Sequence, residues 1–364
     1  MPPRTAASRR SSPSRNGVIR VAIVDDSTVA RAMIGWALEQ AGMEVAVTAS
    51  NGREAIAVLP GNPVDVLILD LEMPGMNGLS ALPEIIRTTD AAVLVVSSLT
   101  TEGARSTIEA LRLGAADTLA KPSMAPGGSG SRAFGEALVE KVRGLGRDRS
   151  HRAAAAPLEE PLPLQDQYFH FDGPLKLLAI AASTGGPSAM FRLMAELAPL
   201  PDVPVLVTQH LPPQFVPVLA EHLGRHARRR AVVAEDGQLL RGGTIHIAPG
   251  TAHLGLETRA GRTSIRLLDG PASSGCKPSA DPMFEAVARC YGATAIGIVL
   301  SGMGRDGAEG ALALRQAGGA IIAQDQCSSV VWGMPGAVAR LGIANTCRSP
   351  SGIAALVNSI GTAA

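Results

Sequence analysis

Three residues in the second half of the chain have the types that an activated serine needs. Ser183 opens the turn Ala182-Ser183-Thr184-Gly185-Gly186-Pro187 directly after the apolar run Leu175–Ala182; His210 closes the run Val203–Gln209; Asp306 lies just past the run Thr294–Leu300. A hydroxyl becomes a good nucleophile when an imidazole takes its proton and a carboxylate orients that imidazole. The paired glycines after Thr184 let the backbone turn tightly, so that amides at the start of a following helix face an anion, either a phosphate or an oxyanion. The first half offers a different set. Asp25 and Asp26 end one apolar run, Asp70 ends another, Ser97 ends a third and Lys121 follows a fourth near Leu119. Three converging carboxylates call for a hard cation, and a hydrated Mg2+ also neutralises an incoming phosphoryl group. With a hydroxyl and an ammonium at the same rim, the set fits a phosphoryl acceptor. Singly, each residue has a plainer reading, as a helix cap, a core histidine or a surface charge; it is their joint placement at strand ends that favours chemistry.

The elements that must position these groups read as alternating short apolar strands and helices, beginning at Val18. The strands are Ile19–Val24, Val45–Ala49, Val64–Leu69, Ala92–Val96 and one near Leu119, with a helix from Thr28 capped by Ser27. Such alternation means a parallel sheet with helices on both faces, whose C-terminal rim binds ligands. Val29, Met33, Trp36 and Ala37 fall at helical spacing and are expected to pack into the core. Phe134–Val142 reads as a closing helix. Beyond it the alternation restarts with Leu175–Ala182, Val203–Gln209 and Thr294–Leu300. Thr244–Ala248 and two short runs around Ala260-Gly261 are expected to form a small antiparallel excursion.

A length of 364 residues matches two domains. The boundaries expected are a disordered tail at 1–17, a first α/β domain at 18–146, a linker rich in Ala and Pro at 147–173, and a second, mostly parallel α/β domain at 174–364. A formal charge of +1 gives no global field toward nucleic acid or an anionic membrane, and no apolar run is long enough to span a bilayer. Four scattered cysteines lack metal or redox spacing and suit a reducing cytosol. Arg225, His226, Arg228, Arg229 and Arg230 read as a solvated helix end, with steering toward acidic partners as the alternative.

One rival pattern lies on the same segment as Asp306. Gly302, Gly304 and Gly307 spell G-x-G-x-x-G between a strand and a helix, with Asp325 about twenty residues on, as in dinucleotide sites. Against it, Asp306 would set a negative charge beside the pyrophosphate, and Ser183 and His210 would go unused. The order Ser, His, Asp and Ala181 in place of the first glycine of G-x-S-x-G separate the chain from ordinary α/β-hydrolases.

The blocks VDDS, LDLEMPGMNG, VVSS and AKP resemble a response-regulator receiver, a flavodoxin-like five-stranded fold, over roughly Val18 to Leu145. That resemblance implies Asp70 as phosphoryl acceptor, Mg2+ on Asp25, Asp26, Asp70 and the backbone carbonyl of Glu72, Ser97 as switch hydroxyl and Lys121 as counter-charge. Thr118 stands where receivers commonly carry an aromatic switch. From about Leu175 to Ile360, AASTGGP, TQHLPP, HIAPGTAHL, GCKPSADPMF, VLSGMGRDG, AQD and VVWGMPGAV resemble, in that order, the catalytic domain of CheB-type protein-glutamate methylesterases. Ala181 and Leu211 depart from the family's usual Gly and Met without touching a reacting group. The resemblance implies Ser183 as nucleophile, His210 as general base, Asp306 as its orienting acid, and Thr184 with the Met303 amide as oxyanion donors, with no cofactor in this domain. It further implies a cytoplasmic chemotaxis hydrolase that demethylates chemoreceptor glutamyl esters, deamidates receptor glutamines and is switched on by a histidine kinase. A phosphorylation-dependent binding module without turnover is the alternative from another class.

Overall fold

Runs of Val, Ile, Leu and Ala with no polar interruption form strands buried on both faces, the mark of parallel sheets covered by helices. The computed structural model describes residues 17–98, 100–121, 129–154, 171, 173–198 and 203–361. Five strands, β1 (Arg20–Val24), β2 (Glu44–Ala49), β3 (Val66–Asp70), β4 (Ala92–Ser97) and β5 (Asp117–Ala120), make one sheet in the order β2-β1-β3-β4-β5. Reversal of strand order next to β1 puts a crevice at the C-terminal ends of β1 and β3, and the acidic residues sit there.

The second sheet has seven strands. They are β6 (Leu177–Ala182), β7 (Val205–Gln209), β8 (Arg230–Val233), β9 (Thr244–Ile247), β12 (Ala295–Val299), β13 (Ala320–Gln324) and β14 (Thr346–Arg348), while β10 (His253–Arg259) and β11 (Arg262–Leu268) form a separate hairpin. The order is β14-β13-β12-β6-β7-β9-β8, and the strand pairs along it are parallel. Leu177, Ala179 and Ala181 on one face of β6 pack with Phe284, Met283 and Val287 of the helix Ala280–Cys290. β6 lies between β7 and β12, so its end is the centre of the sheet's rim.

Contacts gather the chain into two compact units, residues 1–94 with 122–158 and residues 95–121 with 159–364. Residues 95–121, expected within the first domain, gather by their contacts with the second unit, and the expected linker also begins inside a helix. The closing helix runs Ser129–Ala154, so the first residues assigned to a linker from 147 are helical. The rest of that linker falls largely on residues outside those described, as does the tail before Gly17.

Two other expectations need correction. In the helix Thr28–Gln40 the buried residues are Ile34, Gly35 and Leu38, while Val29 and Trp36 are 75% and 66% exposed. Trp36 lies two residues from Ile34, about 200° around the helix, so the spacing of seven that links it to Val29 marks the outer face. Thr244–Ile247 is not part of an antiparallel excursion: it is a parallel strand between β7 and β8. Among the described strands, β10 and β11 are the pair that runs antiparallel, around Ala260 and Gly261, both with positive φ (48° and 74°) as a two-residue hairpin turn demands.

Candidate active site

Ser183 and His210 are set side by side by strand pairing. Ala182 of β6 is in register with Gln209 of β7, so the next residue on each strand emerges at the same rim. The His210 amide donates to Ala182 O at 3.0 Å, and the Ser183 amide donates to Ser301 O, also at 3.0 Å, which ties β6 to the loop leaving β12. Between the two, the buried Gln209 donates through Nε2 to the carbonyls of Ser183 (3.0 Å) and His210 (3.2 Å).

Asp306 meets His210 from the far side of the rim. Its Oδ2 accepts from His210 Nε2 at 2.8 Å and from the Ala280 amide at 2.7 Å, and its Oδ1 accepts from Ser279 Oγ at 2.6 Å. With Nε2 committed to the carboxylate, Nδ1 is the imidazole nitrogen left to take a proton. Ser279 is itself fixed, since its amide donates to His253 Nδ1 at 2.8 Å; the His253 proton is then on Nε2, which donates to Gly270 O at 2.9 Å. Burial pushes the His210 imidazole down, but the Asp306 carboxylate and then Cys276 outweigh it and raise it from 6.5 to about 9. Burial in turn opposes ionisation of Asp306, and the bonds from His210, Ser279 and Ala280 more than reverse this, holding it far below the usual carboxylate range.

The turn after Ser183 is built for close approach. Gly185 has φ +77°, and a Cβ there would lie 2.5 Å from both Ser301 Oγ and Val330 Cβ. The buried Ser301 hydroxyl donates to Thr184 O (2.7 Å) and accepts from the amides of Val330 and Val331 (3.1 Å each), so one side chain pins two loops. Met303 follows Gly302, whose added Cβ would come 3.0 Å from Ser183 Cβ and 2.3 Å from Met334 Sδ. The two residues expected to supply oxyanion donors, Thr184 and Met303, thus flank Ser183. The crowding at Gly302 and the commitment of Asp306 to His210 place protein groups where a pyrophosphate would lie, and a dinucleotide reading is not favoured.

Cys276, Ser279, His253, Gln209 and Ser301 lie within the blocks that carry the resemblance, but residue type and spacing assign them no role. The loop before Ala280 has no periodicity, and a single Cys or Ser in it carries no spacing signal; only the Ser279 N-cap, which accepts from the Asp281 amide at 3.3 Å, follows a recognisable rule. The arginine group is only partly a solvated helix end, because Arg229 is half-buried and donates to Ala198 O at 2.5 Å.

In the first sheet, carboxylate oxygens of Asp25, Asp26 and Asp70 lie within 4.8 Å of one another. Asp25 and Asp70 are buried and Asp26 is exposed. Asp25 Oδ1 accepts from the Ser27 amide (2.9 Å) and Asp70 Oδ1 from the Glu72 amide (3.1 Å), which aim the carboxylates at the rim. All-oxygen donors with one side open fit Mg2+, which keeps several waters. Ser97 and Lys121 end neighbouring strands, the Lys121 amide donating to Ser97 O at 2.8 Å; the Ser97 hydroxyl is buried against Thr107 Oγ1 (2.7 Å) and Gly103 O (3.2 Å). Thr118 is buried in the place of the receiver aromatic.

A doubly wound domain with acids at its switch point, followed in the same chain by a parallel sheet whose rim holds serine, histidine and aspartate, defines a regulated hydrolase of receiver-plus-effector design. Residues 21–126 match the response regulator receiver domain family and residues 178–357 the CheB methylesterase family. The chain is 44% identical over 332 residues to protein-glutamate methylesterase/protein-glutamine glutaminase 2 of Caulobacter vibrioides, covering 90% of this chain and 94% of that protein. It is 39% identical over 375 residues to the corresponding enzyme 1 of Rhodospirillum rubrum, covering 96% and 97%. Among solved structures, the Thermotoga maritima CheB methylesterase catalytic domain is 32% identical, with a TM-score of 0.49 over 52% of this chain and 98% of that one. The chain belongs to the CheB family of protein-glutamate methylesterases/protein-glutamine glutaminases.

Proposed function

We propose that this chain hydrolyses γ-glutamyl methyl esters on chemoreceptors, deamidates receptor glutamines with the same machinery, and is activated by phosphorylation at Asp70. The observation that carries the reading is the 2.8 Å His210–Asp306 bond beside Ser183, on strand ends that the pairing of β6 with β7 and β12 holds in place. Ser183 attacks the glutamyl carbonyl as His210 accepts its proton. Thr184, whose hydroxyl donates to Asp117 Oδ2 in this structure and would have to leave it, and the Met303 amide receive the tetrahedral oxyanion, and His210 returns the proton to departing methanol or ammonia. Water, activated by the same imidazole, releases free glutamate. Loss of one oxyanion donor costs about 10²-fold or more in turnover.

In the receiver domain Asp25, Asp26, Asp70 and the Glu72 carbonyl would hold Mg2+, which when bound would neutralise charge on the incoming phosphoryl group. Asp70 takes the phosphoryl group from a histidine kinase of a chemotaxis-type pathway, Lys121 pairs with it, and Ser97 is the hydroxyl that reports it. The proposed domain limits are 18–146 and 174–364, and the proposed setting is the cytoplasm; among the described residues no helix is long and apolar enough to cross a membrane. The test is methanol release from methylated receptor cytoplasmic fragments by wild type and Ser183→Ala, each with and without a small-molecule phosphodonor. Release that requires Ser183 and rises with phosphodonor supports the reading, and absence of release from wild type under both conditions refutes it in favour of a binding module.

A further inference from the structure

The geometry points to a second use of the active-site rim: Cys276, His210 and Asp306 form a binding site for a thiolate-seeking divalent ion such as Zn2+, and its occupancy shuts the esterase off. One ligand atom from each of the three residues lies within 4.8 Å of the others, and the His210–Asp306 pair is at 2.8 Å. Zn2+ binds sulfur at about 2.3 Å and nitrogen or oxygen at about 2.0–2.2 Å, so tetrahedral ligand atoms stand roughly 3.3–3.7 Å apart. The close pair would open by about half an ångström and the thiol would move in by about one at most. Cys276 sits in the loop between Leu268 and Ala280, where its amide donates to Ser274 Oγ at 3.3 Å and its thiol to Ser274 O at 3.9 Å, a weak contact that ligation would replace.

The donor set selects the ion. A thiolate, an imidazole and one carboxylate suit Zn2+ and disfavour Mg2+ or Ca2+, which seek oxygen. Asp306 is already anchored from behind by Ser279 Oγ and the Ala280 amide, as ligating carboxylates usually are. Cys276 and His210 are both partly exposed, giving an ion a way in. Three protein ligands leave a fourth position for water. On binding, the Cys276 thiol and the His210 imidazolium each lose a proton to solvent, one imidazole nitrogen is tied to the metal and the other keeps its proton, so His210 no longer serves Ser183. The inhibitory part rests on the proposed role of His210 as general base; the binding part does not.

Metal-stripped full-length protein titrated with Co2+ separates the two. A thiolate-to-cobalt charge-transfer band in the near ultraviolet reports sulfur ligation alone, and Co2+ at the all-oxygen receiver site does not produce it. The band is expected in wild type and in Cys327→Ser, which alters an exposed cysteine outside the cluster. It should vanish in Cys276→Ser, require at least about tenfold more Co2+ in His210→Ala, and be displaced by Zn2+. Circular dichroism melts on each variant separate loss of ligation from loss of fold. In parallel, Zn2+ at one equivalent should suppress methanol release by wild type, with recovery on EDTA, and leave the turnover of Cys276→Ser in the same ratio with and without Zn2+. No band in wild type, or a band that survives Cys276→Ser, overturns the site. A Cys276-dependent band with turnover indifferent to Zn2+ overturns the switch, and absence of turnover in every sample refutes the proposed activity while the spectra still decide the site.

Discussion

Replacing Asp306 by Asn removes the charge that holds the His210 proton while keeping the shape of the side chain. The imidazole stands at about 9 against an ordinary 6.5, so its surroundings favour the charged form by about 3 kcal/mol, at about 1.4 kcal/mol per tenfold. Burial, which acts in the opposite direction, is then opposed only by Cys276. A base must be unprotonated to accept the serine proton, so the rising limb of kcat/KM against pH in wild type lies above the ordinary histidine range, toward 9. In Asp306→Asn that limb should move down by at least about one pH unit, while the plateau falls by about 10³–10⁴-fold because the imidazole is no longer held in its working tautomer. The assay is initial methanol release from methylated receptor fragments from pH 5.5 to 10, with phosphodonor saturating at each pH. A plateau that falls while the limb stays in place would refute the reasoning, since the ion pair would then not control the base. Stability follows with a definite sign. A raised histidine contributes fully below its unfolded value of 6.5 and loses the contribution as pH climbs through about 9. The lowered Asp306 loses the same contribution only in strong acid, so the denaturant midpoint difference between wild type and Asp306→Asn should be largest near pH 5–6 and shrink toward pH 9.

Other outcomes are equally specific. Ser279→Ala leaves Asp306 Oδ1 without its 2.6 Å donor, and unfolding by denaturant should show a loss of about 1–3 kcal/mol with reduced turnover. Gly302→Ala forces a methyl against Met334 Sδ and Ser183 Cβ; thermal melting should drop, and kcat should fall more than binding of receptor fragment, read by parallel titration. Asp70→Asn should abolish phosphodonor-stimulated turnover but retain the unstimulated rate, and a phosphodonor response that persists would remove Asp70 as acceptor.

Much of this site is legible in sequence because parallel strands are legible. Ser183, His210, Asp25 and Asp70 each follow an uninterrupted apolar run, and once those runs are strands of one sheet their ends must share a rim. What lay out of reach has one physical character. Cys276, Ser279 and His253 meet Asp306 through a loop and a hairpin, where side-chain direction is set by turn geometry and tertiary contact and no period of 2 or 3.6 exists to read. Trp36 and Val29 fail for the opposite reason: a periodic pattern was present, but periodicity says which residues share a face and not which face the sheet covers.

The central position of β6 has a consequence for how activity is gained during folding. Its partners β7 and β12 lie on either side of it in space, yet Ser183 and Asp306 are separated by more than a hundred residues of chain. Closing loops of that length precedes any reward from the contacts they bring, which makes such pairings late and slow events. The hairpin of β10 and β11 and the individual helices, by contrast, depend on near neighbours. On refolding from denaturant, far-ultraviolet ellipticity should therefore recover first, and esterase turnover should return with a lag that measures the docking of β12 onto β6. Catalytic competence in this chain is the clock for its slowest topological step.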